Sequence, residues 1–341
     1  MGDRPIGGAH PTYVIAEAGS NHNRDLDTAK RLIDVAAEAG ADAVKFQTYS
    51  GDRIYSRKAE SKYLAQWGRT PAELLEDISL PREWHAVLAD HARACGIHFF
   101  SSPFDHDAVT ELAAVGVPVL KIASGEIVDL PLIRAAAATG LPLFISTGMA
   151  TLAEIDDALT AAAEAGAPAV GLMQCASVYP APANRINLRA MDTLRTAFGV
   201  PAGLSDHTTG IAIPIAAAAR GAAFVEKHIT LDRGMPGPDH SFAIEPGELA
   251  AMVQGIRDAE AALGDGRKDG PIPEELDENY RLARRSLIAT RDLPAGTVLD
   301  AGMLTVKRPG SGIAPKHLPI VLGRPLRTAV EADDVLTWEM V

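Results

Sequence analysis

Two histidines close successive apolar runs of the chain, and their spacing makes them candidates for metal chemistry. His207 lies in GLSDHT at 203–208, and His228 lies in FVEKHIT at 224–230. If the two runs are neighbouring β-strands, about 4.8 Å apart, both imidazoles can bind one ion. Alternation along a strand puts Glu226 on the same face as His228 and Lys227 on the other. We therefore predict a metal site at His207 and His228, with Glu226 holding a metal-bound water.

The number of imidazoles indicates what kind of metal site this is. A structural zinc site normally has four protein ligands, and two histidines are too few to close one. The remaining positions would go to water or substrate, which makes the ion a Lewis acid. By ligand type alone, manganese, zinc, iron and cobalt fit such a site about equally well.

Two lysines lie inside otherwise apolar runs, Lys45 in DAVKFQT and Lys121 in VLKIASGE. A lysine that points into a protein interior is costly unless it meets an anion. Ser102, Ser124 and Ser146 follow the same kind of run, and their hydroxyls can donate directional hydrogen bonds. These residues together predict a binding site for a phosphate or a carboxylate group.

Two acidic residues offer another explanation for the same lysines. Glu17 and Glu126 also follow apolar runs, so each lysine could instead form a local structural ion pair with one of them. The chain has no glycine-rich phosphate loop of the Walker or Rossmann type, and a nucleotide is therefore not the first choice of ligand.

Short apolar runs alternate with alanine-rich helical segments along most of the chain. The helical segments 27–39, 81–95 and 151–165 are each followed by glycine, the usual residue after a helix C-terminus. This alternation is typical of parallel βαβ units, and eight units in about 250 residues predict a (β/α)8 TIM barrel. The predicted strands are 12–19, 43–48, 97–102, 119–124, 142–147, 169–175, 201–207 and 223–230.

The barrel prediction carries an expectation about where polar residues lie. In such barrels the active site is at the carboxyl ends of the strands, and residues capable of chemistry should collect there. They do so in every run: Glu17; Lys45 and Gln47; Ser101 and Ser102; Lys121, Ser124 and Glu126; Ser146 and Thr147; Gln174 and Ser177; Asp206 and His207; Glu226 and His228. We expect these side chains to form one cluster.

The remainder of the chain has a different character. We assign residues 1–265 to the barrel and residues 266–282, rich in Gly, Pro and charge, to a linker. Residues 283–341 contain short β segments with turns. About 60 residues are near the lower limit for independent stability, so we expect this small domain to dock on a barrel.

Composition excludes several classes of partner for this chain of 341 residues. A net charge of −12 argues against nucleic acid and anionic membranes, which need clustered positive charge. No run of about 18 apolar residues and no signal-peptide pattern is present, so we expect no membrane span. Cys95 and Cys175 are too few for a disulfide framework, and we expect buried free thiols in a reducing cytoplasm.

A series of short motifs follows one order through the chain: VIAEAGSNHN, AVKFQTY, FSSPFD, KIASGE, ISTGMA, CASVYPAP, GLSDHT, VEKHITLDR and GPDHSF, from residue 14 to about 242. This series resembles the sialic acid synthase family, the phosphoenolpyruvate-condensing nonulosonate synthases. RRSLIATRDLPAGTVL and VKRPGSGI resemble the antifreeze-protein-like (SAF, β-clip) domain of these enzymes. The resemblance covers nearly the whole chain and implies a TIM barrel followed by that domain.

The resemblance implies an activity and its residues. It implies condensation of phosphoenolpyruvate with the open-chain aldehyde of an N-acylhexosamine, such as N-acetylmannosamine, to give a nonulosonic acid and phosphate. It implies a divalent ion, Mn²⁺ first with Mg²⁺ or Co²⁺ as alternatives, and a domain-swapped homodimer. The implied phosphoenolpyruvate contacts are Lys45, Ser102, Lys121, Ser124, Ser146, Ser177 and Ser205. The implied sugar contacts are Glu17, Glu126, Tyr179, Asp239 and, from the partner's small domain, Arg308. The catalytic set is Glu17, Glu126, His207 and His228.

Other functions stay open at this point. The acceptor could be a diacetamido-trideoxyhexose, as for a legionaminic or pseudaminic acid synthase. A metal-dependent pyruvate aldolase would share the histidines and the barrel, although it needs no site with two lysines. A noncatalytic sugar-binding protein would bind its ligand without metal and without turnover.

Overall fold

The computed structural model describes residues 4–56, 58–59, 70–276 and 278–341. It divides into two units, Met1–Gly264 and Asp265–Val341. The first unit contains eight strands, each named here in chain order. They are β1 Tyr13–Gly19, β2 Ala43–Thr48, β3 His98–Pro103, β4 Leu120–Ile122, β5 Leu143–Ser146, β6 Val170–Cys175, β7 Ala202–Asp206 and β8 Phe224–His228.

Helices connect these strands in the described part of the first unit. They are α1 Leu26–Glu38, α2 Gly51–Ile54, α3 Pro71–Ile78, α4 His85–Ala94, α5 His106–Val115, α6 Leu130–Ala137, α7 Leu152–Glu164, α8 Ala190–Phe198, α9 Ala212–Ala219 and α10 Pro246–Leu263. A 3₁₀ turn, Ser124–Val128, follows β4 directly and limits that strand to three residues.

The eight strands form one sheet with the order β3-β2-β1-β8-β7-β6-β5-β4. Each paired neighbour is parallel, as in the register Glu17↔Lys45 between β1 and β2 and Glu17↔His228 between β1 and β8. The two end strands of this order, β3 and β4, also lie side by side, with Cα atoms within 8 Å of each other. The sheet therefore curls into a barrel with the helices outside, which confirms the predicted (β/α)8 fold.

Local sequence signals place the helix ends. The Asp25 side chain accepts a hydrogen bond from the Thr28 amide at the start of α1, and Thr151 and Glu154 cap α7 reciprocally. Gly40, just after α1, has φ +80°, a conformation in which glycine is favoured. The segment predicted as one helix at 81–95 instead begins with a 3₁₀ turn, Arg82–Trp84, before α4.

Aromatic rings fill the barrel interior one layer below the strand ends. The Phe144 ring lies 4.5 Å from that of Phe224 and 6.2 Å from that of Phe100, measured between centroids. Two glycines make room for Phe224: a Cβ on Gly171 would lie 2.8 Å from its ring, and one on Gly203 would lie 2.1 Å from its carbonyl oxygen. This packed layer closes the interior, so a ligand can enter only from the carboxyl ends of the strands.

The second unit is described separately. It contains a 3₁₀ turn Pro273–Glu275 and α11 Glu278–Ala283, which fall in the segment expected to be a linker except for Ala283. These are followed by β9 Ser286–Ala289, β10 Leu304–Lys307 and α12 Leu318–Val321. Strands β9 and β10 pair antiparallel, with Leu304 opposite Ala289. Its core includes Leu287, Leu293, Leu299, Val321, Leu326 and Leu336. Across the described residues of both units, no helix is long and apolar enough to cross a membrane.

The aromatic layer yields a stability prediction. Gly203→Ala forces a methyl group against the Phe224 backbone, which cannot move without disturbing β8, and we expect it to lower the free energy of unfolding by about 3 kcal/mol. Chemical denaturation of the full chain measures the change. The matched control is Gly247→Ala in α10, where an added Cβ meets nothing within 4 Å. The control should stay within about 1 kcal/mol of the wild type; equal effects of the two variants would contradict the packing argument.

Candidate active site

The two candidate metal ligands lie side by side at the carboxyl ends of adjacent strands. His207 follows β7 and His228 ends β8, and their ring centroids are 5.4 Å apart. The His207 Nδ1 atom lies 2.9 Å from the Ala176 carbonyl oxygen, to which it donates as N–H, and this leaves the lone pair on Nε2. His228 Nδ1 is buried and has no hydrogen-bond partner among the described residues. Both observations fit imidazoles that are prepared to bind a metal ion.

The surroundings of each imidazole bear on its charge. Burial, together with the positive charge of His207 and Lys45, holds the pKa of His228 well below its usual value, so this ring is neutral and able to bind a metal. For His207, burial alone would lower the pKa, but interactions with Cys175 and the Ala176 carbonyl outweigh burial and raise it. A metal at this ring would therefore take the place of a proton.

Cys175 is a member of this group that the sequence did not indicate. Its Sγ atom lies 3.7 Å from His207 Nδ1, at the end of β6. Burial would raise the pKa of the thiol, but the bond to His207 outweighs burial and lowers it. The sequence predicted two buried free thiols; Cys175 is buried, whereas Cys95 is half-exposed, so that prediction is wrong for Cys95.

Two buried lysines and two buried carboxyl groups occupy the barrel interior beside the histidines. Lys45 Nζ lies 2.9 Å from Glu17 Oε2 and 3.6 Å from Glu226 Oε1, and Lys121 Nζ lies 3.9 Å from Glu226 Oε2. The local ion pair considered for Lys45 is thus present with Glu17. Lys121 faces Glu226 rather than Glu126, and Glu226 lies between the two lysines. Its predicted role in holding a metal-bound water stays a prediction.

The two buried carboxyl groups, Glu17 and Glu226, differ in the direction in which their pKa values are shifted. Burial raises the pKa of Glu17 to about 7, although Lys45 and a hydrogen bond from Gln47 oppose the shift. Burial would also raise the pKa of Glu226, but Lys121 and Lys45 outweigh it and lower that pKa. Near neutral pH Glu17 is therefore about half protonated. The two lysines are opposed by less than two full carboxylate charges, and the remaining positive charge favours an anionic ligand.

Serine hydroxyls surround the two ammonium groups. Ser102 Oγ accepts from Lys45 Nζ at 3.2 Å, and Ser146 Oγ accepts from Lys121 Nζ at 2.6 Å. Ser205 Oγ donates to Glu226 Oε1 at 3.2 Å. The lysines and serines of the predicted anion site therefore lie close together in the barrel interior.

Gly148 completes this arrangement and was not singled out from the sequence. Its amide donates to Ser124 Oγ at 3.1 Å, and a Cβ at this position would lie 2.4 Å from Ser177 Oγ. Ser177 Oγ is buried and has no hydrogen-bond partner among the residues described. A glycine is thus required for both hydroxyls to lie this close to residue 148, and the Ser177 hydroxyl is available to a ligand. The glycine of the ISTG run was the only sequence signal.

The remaining predicted residues lie at the rim or away from it. The Tyr179 ring centroid is 4.2 Å from that of His207, and Asp239 Oδ2 is 3.7 Å from His228 Nδ1. Glu126 lies in the turn after β4, near Lys121, and burial raises its pKa. Arg308 is exposed in the second unit. A cleft of about 340 Å³ opens beside His228 and is lined by Ser20, Gln47, Tyr49, Tyr55, Leu74, Leu75, Ile78, Tyr179, His228, Pro238 and Asp239.

Several strand-end residues that were expected in the cluster lie elsewhere. Asp206 forms an ion pair with Lys227 at 2.6 Å, Gln174 Nε2 donates to the Ile186 carbonyl at 2.9 Å, and Ser101 bonds to a threonine hydroxyl. Each of the three neighbours a residue that does face inward, so strand alternation turns it toward the helices. The expectation of one cluster is wrong for these three residues.

His22 and His240 also have structural surroundings. His22 packs against Phe46 and Trp84, and burial lowers its pKa to about 4. His240 Nδ1 bonds to the Thr230 hydroxyl, which anchors the loop that carries Asp239. The structure thus separates these two histidines from the pair at His207 and His228.

Comparison with known proteins identifies the family. A model described as the NeuB family matches residues 32–268, and a model of the SAF domain matches residues 284–341. The chain belongs to the NeuB family. The predicted resemblance to sialic acid synthases and the predicted terminal SAF domain are confirmed.

Named relatives of this family align over nearly the full chain. The N,N'-diacetyllegionaminic acid synthase of Legionella pneumophila is 40% identical, covering 100% of this chain and 97% of its own. The human N-acetylneuraminate-9-phosphate synthase is 38% identical, covering 99% of this chain and 95% of its own. Among solved structures, a sialic acid synthetase from Leptospira borgpetersenii in complex with citrate is 37% identical, with a TM-score of 0.73 over 82% of this chain and 93% of that one. These relatives are synthases, which supports an enzyme of the sialic acid synthase type.

The histidine pair yields a binding prediction. His207→Ala and His228→Ala should each abolish tight binding of Mn²⁺, because one imidazole alone leaves the ion too few ligands. Electron paramagnetic resonance of free Mn²⁺ measures the bound fraction, and circular dichroism checks the fold. His106→Ala, an exposed histidine at the start of α5, is the matched control and should bind Mn²⁺ like the wild type. Normal Mn²⁺ affinity in both site variants would rule out the predicted ligands.

Proposed function

We propose that this chain condenses phosphoenolpyruvate with the open-chain aldehyde of an N-acylated amino sugar, releasing inorganic phosphate and forming a nonulosonic acid. The observation that carries the proposal is the position of the lysine–serine anion site directly beside the histidine pair. Such a site binds a small polyanion, and the histidine pair can activate a second, neutral substrate next to it. The membership in the NeuB family supports the same reaction class.

The anion site suits the two charged ends of phosphoenolpyruvate. Lys45 and Lys121 supply positive charge, and Ser102, Ser146 and the free Ser177 hydroxyl supply directional donors. Because Glu17 has a pKa of about 7, it is about half protonated near neutral pH and cancels this charge only in part. The aromatic layer below excludes water, and the low dielectric strengthens each of these contacts.

A divalent ion at His207 and His228, Mn²⁺ by our proposal, would polarise the aldehyde oxygen when bound. Asp239 and Tyr179 lie beside the two imidazoles and are placed to orient the acceptor sugar through hydrogen bonds. The acceptor thus enters through the cleft, while phosphoenolpyruvate occupies the deeper site. Cys175 holds the His207 ring from the side.

The bond changes require proton transfers that Glu17 is placed to make. C3 of phosphoenolpyruvate forms a bond to the aldehyde carbon, the aldehyde oxygen takes a proton, water adds at C2, and the bond from C2 to the phosphate oxygen breaks. Glu17 has a pKa of about 7 and lies at hydrogen-bonding distance from Gln47 and Lys45, so it can give or take a proton near neutral pH. Glu126, near Lys121, is the second carboxyl group of the proposed catalytic set.

One wall of the cleft is apolar and suits an acceptor sugar that carries methyl groups. Leu74, Leu75 and Ile78 of α3 line it, opposite His228 and Asp239. An apolar wall suits the methyl groups of a deoxy or doubly N-acetylated sugar, because burying them releases water. A diacetamido-trideoxyhexose, giving a legionaminic or pseudaminic acid, is therefore the second candidate acceptor beside N-acetylmannosamine.

The same geometry supports a pyruvate aldolase less well. Such an enzyme would use the histidine pair. Its keto acid substrate carries a single carboxylate, which does not require two buried lysines that are each hydrogen-bonded to a serine. A noncatalytic sugar-binding protein would need none of the buried ionisable groups at the strand ends.

The reaction is tested by mixing the purified chain with phosphoenolpyruvate, Mn²⁺ and each acceptor in turn, while inorganic phosphate is measured. We expect phosphate release that depends on an amino sugar, with N-acetylmannosamine, its 6-phosphate and diacetamido-trideoxyhexoses as the panel. Lys121→Met should lower kcat/KM for phosphoenolpyruvate by about 30-fold or more, because a buried charged contact costs at least about 2 kcal/mol to lose.

Further variants separate the anion site from general damage. Gly148→Ala should raise the KM for phosphoenolpyruvate, because its Cβ displaces the Ser177 hydroxyl, whereas Gly247→Ala should match the wild type. Product formed from pyruvate in place of phosphoenolpyruvate would favour the aldolase. Sugar binding without any turnover across the panel would favour the noncatalytic alternative.

Exposed apolar side chains surround the open end of the barrel. Val128, Met149 and Val178, after β4, β5 and β6, and Leu152, the first residue of α7, are 50–76% exposed. Large exposed apolar surface marks interaction sites, and we take these side chains as part of a covered face. By our proposal the SAF domain of a partner subunit covers it in a homodimer and brings Arg308 to the sugar, so that water is excluded during the reaction.

Removal of the second domain tests this arrangement. A chain ending at residue 282 should lose most of its phosphate release, and Arg308→Ala in the full chain should raise the KM for the sugar more than that for phosphoenolpyruvate. Analytical ultracentrifugation of the full chain should show a dimer. Full activity of a folded truncated chain, or a monomeric full chain at assay concentration, would exclude the covering role.

A further inference from the structure

A second group of metal-binding side chains lies outside the barrel, on two helices that no part of the proposed reaction uses. Asp34 is on α1, His91 is on α4, and Cys95 directly follows α4. His91 Nε2 is 2.7 Å from Asp34 Oδ1, and Cys95 Sγ is 3.6 Å from the same oxygen. One ligand atom from each of the three residues lies within 4.8 Å of the other two. Among the residues that the structure describes, this is the only such group of three.

The helices themselves create this spacing. His91 and Cys95 are four residues apart, so they lie one turn apart on the same face of α4. Helix α1 packs beside α4 and presents Asp34 to that face. Glu38 follows Asp34 by one helical turn, and its carboxylate is close enough to interact electrostatically with the Cys95 thiol. A thiol, an imidazole and a carboxylate thus converge from two helices, although Asp34 and His91 are more than fifty positions apart in the sequence.

We propose that Asp34, His91 and Cys95 bind a zinc-class divalent ion, with Glu38 or water as the fourth ligand. Zinc binds sulfur at about 2.3 Å and nitrogen or oxygen at about 2.0–2.2 Å, so tetrahedral ligand atoms lie about 3–4 Å apart. The present separations of 2.7 and 3.6 Å, with all three ligand atoms within 4.8 Å of one another, are close to this range. All three residues are half-buried, so an ion can reach them from solvent without unfolding.

The ligand types distinguish this site from the one inside the barrel. A thiolate is a soft ligand that favours zinc or cobalt, whereas Mn²⁺ and Mg²⁺ favour oxygen. The site at His207 and His228 supplies imidazole and the oxygen atoms of substrate or water. The two places in the chain therefore have different metal preferences, and one ion need not compete for both.

A simple ion pair between His91 and Asp34 is the alternative explanation. That pair, with a hydrogen bond donated by the Cys95 thiol to the same oxygen, is the metal-free arrangement of the three side chains, and the metal titration distinguishes it from a metal site. Arg31 is a competitor: it bonds to Glu38 at 2.8 Å and lies 3.9 Å from Asp34 Oδ2. Arg31 approaches the other oxygen of Asp34, so Oδ1 stays with His91 and Cys95. Arg31 would have to leave Glu38 only if Glu38 became the fourth metal ligand.

The site would join α1 to α4. Helix α1 follows β1, which carries Glu17, and α4 precedes β3, which carries Ser102. An ion held between the helices would therefore stabilise the outer layer behind two strands of the candidate active site. Because it binds only the folded chain, it should raise the thermal stability in proportion to its saturation.

Cobalt titration of the full chain tests the proposal, because a thiolate bound to Co²⁺ gives a charge-transfer band in the near ultraviolet that nitrogen and oxygen ligands do not. The chain has two cysteines, Cys95 beside α4 and Cys175 beside His207, and each serves as the control for the other. We expect the band in the wild type and in Cys175→Ser, and its loss in Cys95→Ser and His91→Ala. The number of Co²⁺ ions bound per chain should fall by one in the latter two variants.

A second measurement does not depend on absorption. Zn²⁺ should raise the melting temperature of the wild type and of Cys175→Ser by several degrees more than that of Cys95→Ser or Asp34→Asn. Circular dichroism checks that each variant is folded before metal is added. A band that survives in Cys95→Ser but disappears in Cys175→Ser would assign the thiolate to the barrel site and overturn the proposal. Absence of the band in the wild type would also overturn it.

Discussion

The burial of four ionisable groups in the barrel interior is the constraint on which the candidate site depends. Lys45, Lys121, Glu17 and Glu226 are each 3% exposed or less, and charges removed from water to this extent are costly unless they are paired. The parallel strands solve the problem by placing the four side chains within reach of one another. The aromatic layer around Phe224 closes the interior beneath them, so no water from that side replaces the missing contacts.

The ion pairs between these lysines and glutamates are incomplete. The lysines can therefore still bind an anionic ligand. Glu226 approaches the two ammonium groups only to 3.6 and 3.9 Å, and its Oε2 atom has no hydrogen bond among the described residues. Burial also raises the pKa of Glu17 to about 7, so this carboxyl group is only about half ionised near neutral pH. An anion that entered would complete the coordination of both lysines at little cost, since the desolvation of those lysines has already occurred during folding.

The strand pattern of the sequence was sufficient to predict the barrel, the meeting of His207 with His228 and the convergence of the two lysines. These follow from a period of two along each strand and from the parallel order of neighbours. The same rule, applied to single residues, would have turned Asp206 and Gln174 outward. Contacts such as Cys175 with His207, or Gly148 with Ser177, depend on loop geometry and distances between separate strands, which composition and spacing do not contain.

Strand alternation also divides the chain between two structural tasks. Inward residues of β7 and β8, such as Ser205 and Glu226, face the ligand site, whereas their neighbours Asp206 and Lys227 form a buried ion pair that joins the two strands on their outer side. A substitution on the outer face should therefore act through stability, because removing one member of a buried pair leaves an uncompensated charge. A substitution on the inner face acts on ligand charge and geometry instead. The two kinds of residue are adjacent in sequence. A residue next to a catalytic residue along the chain therefore need not lie near the bound substrate.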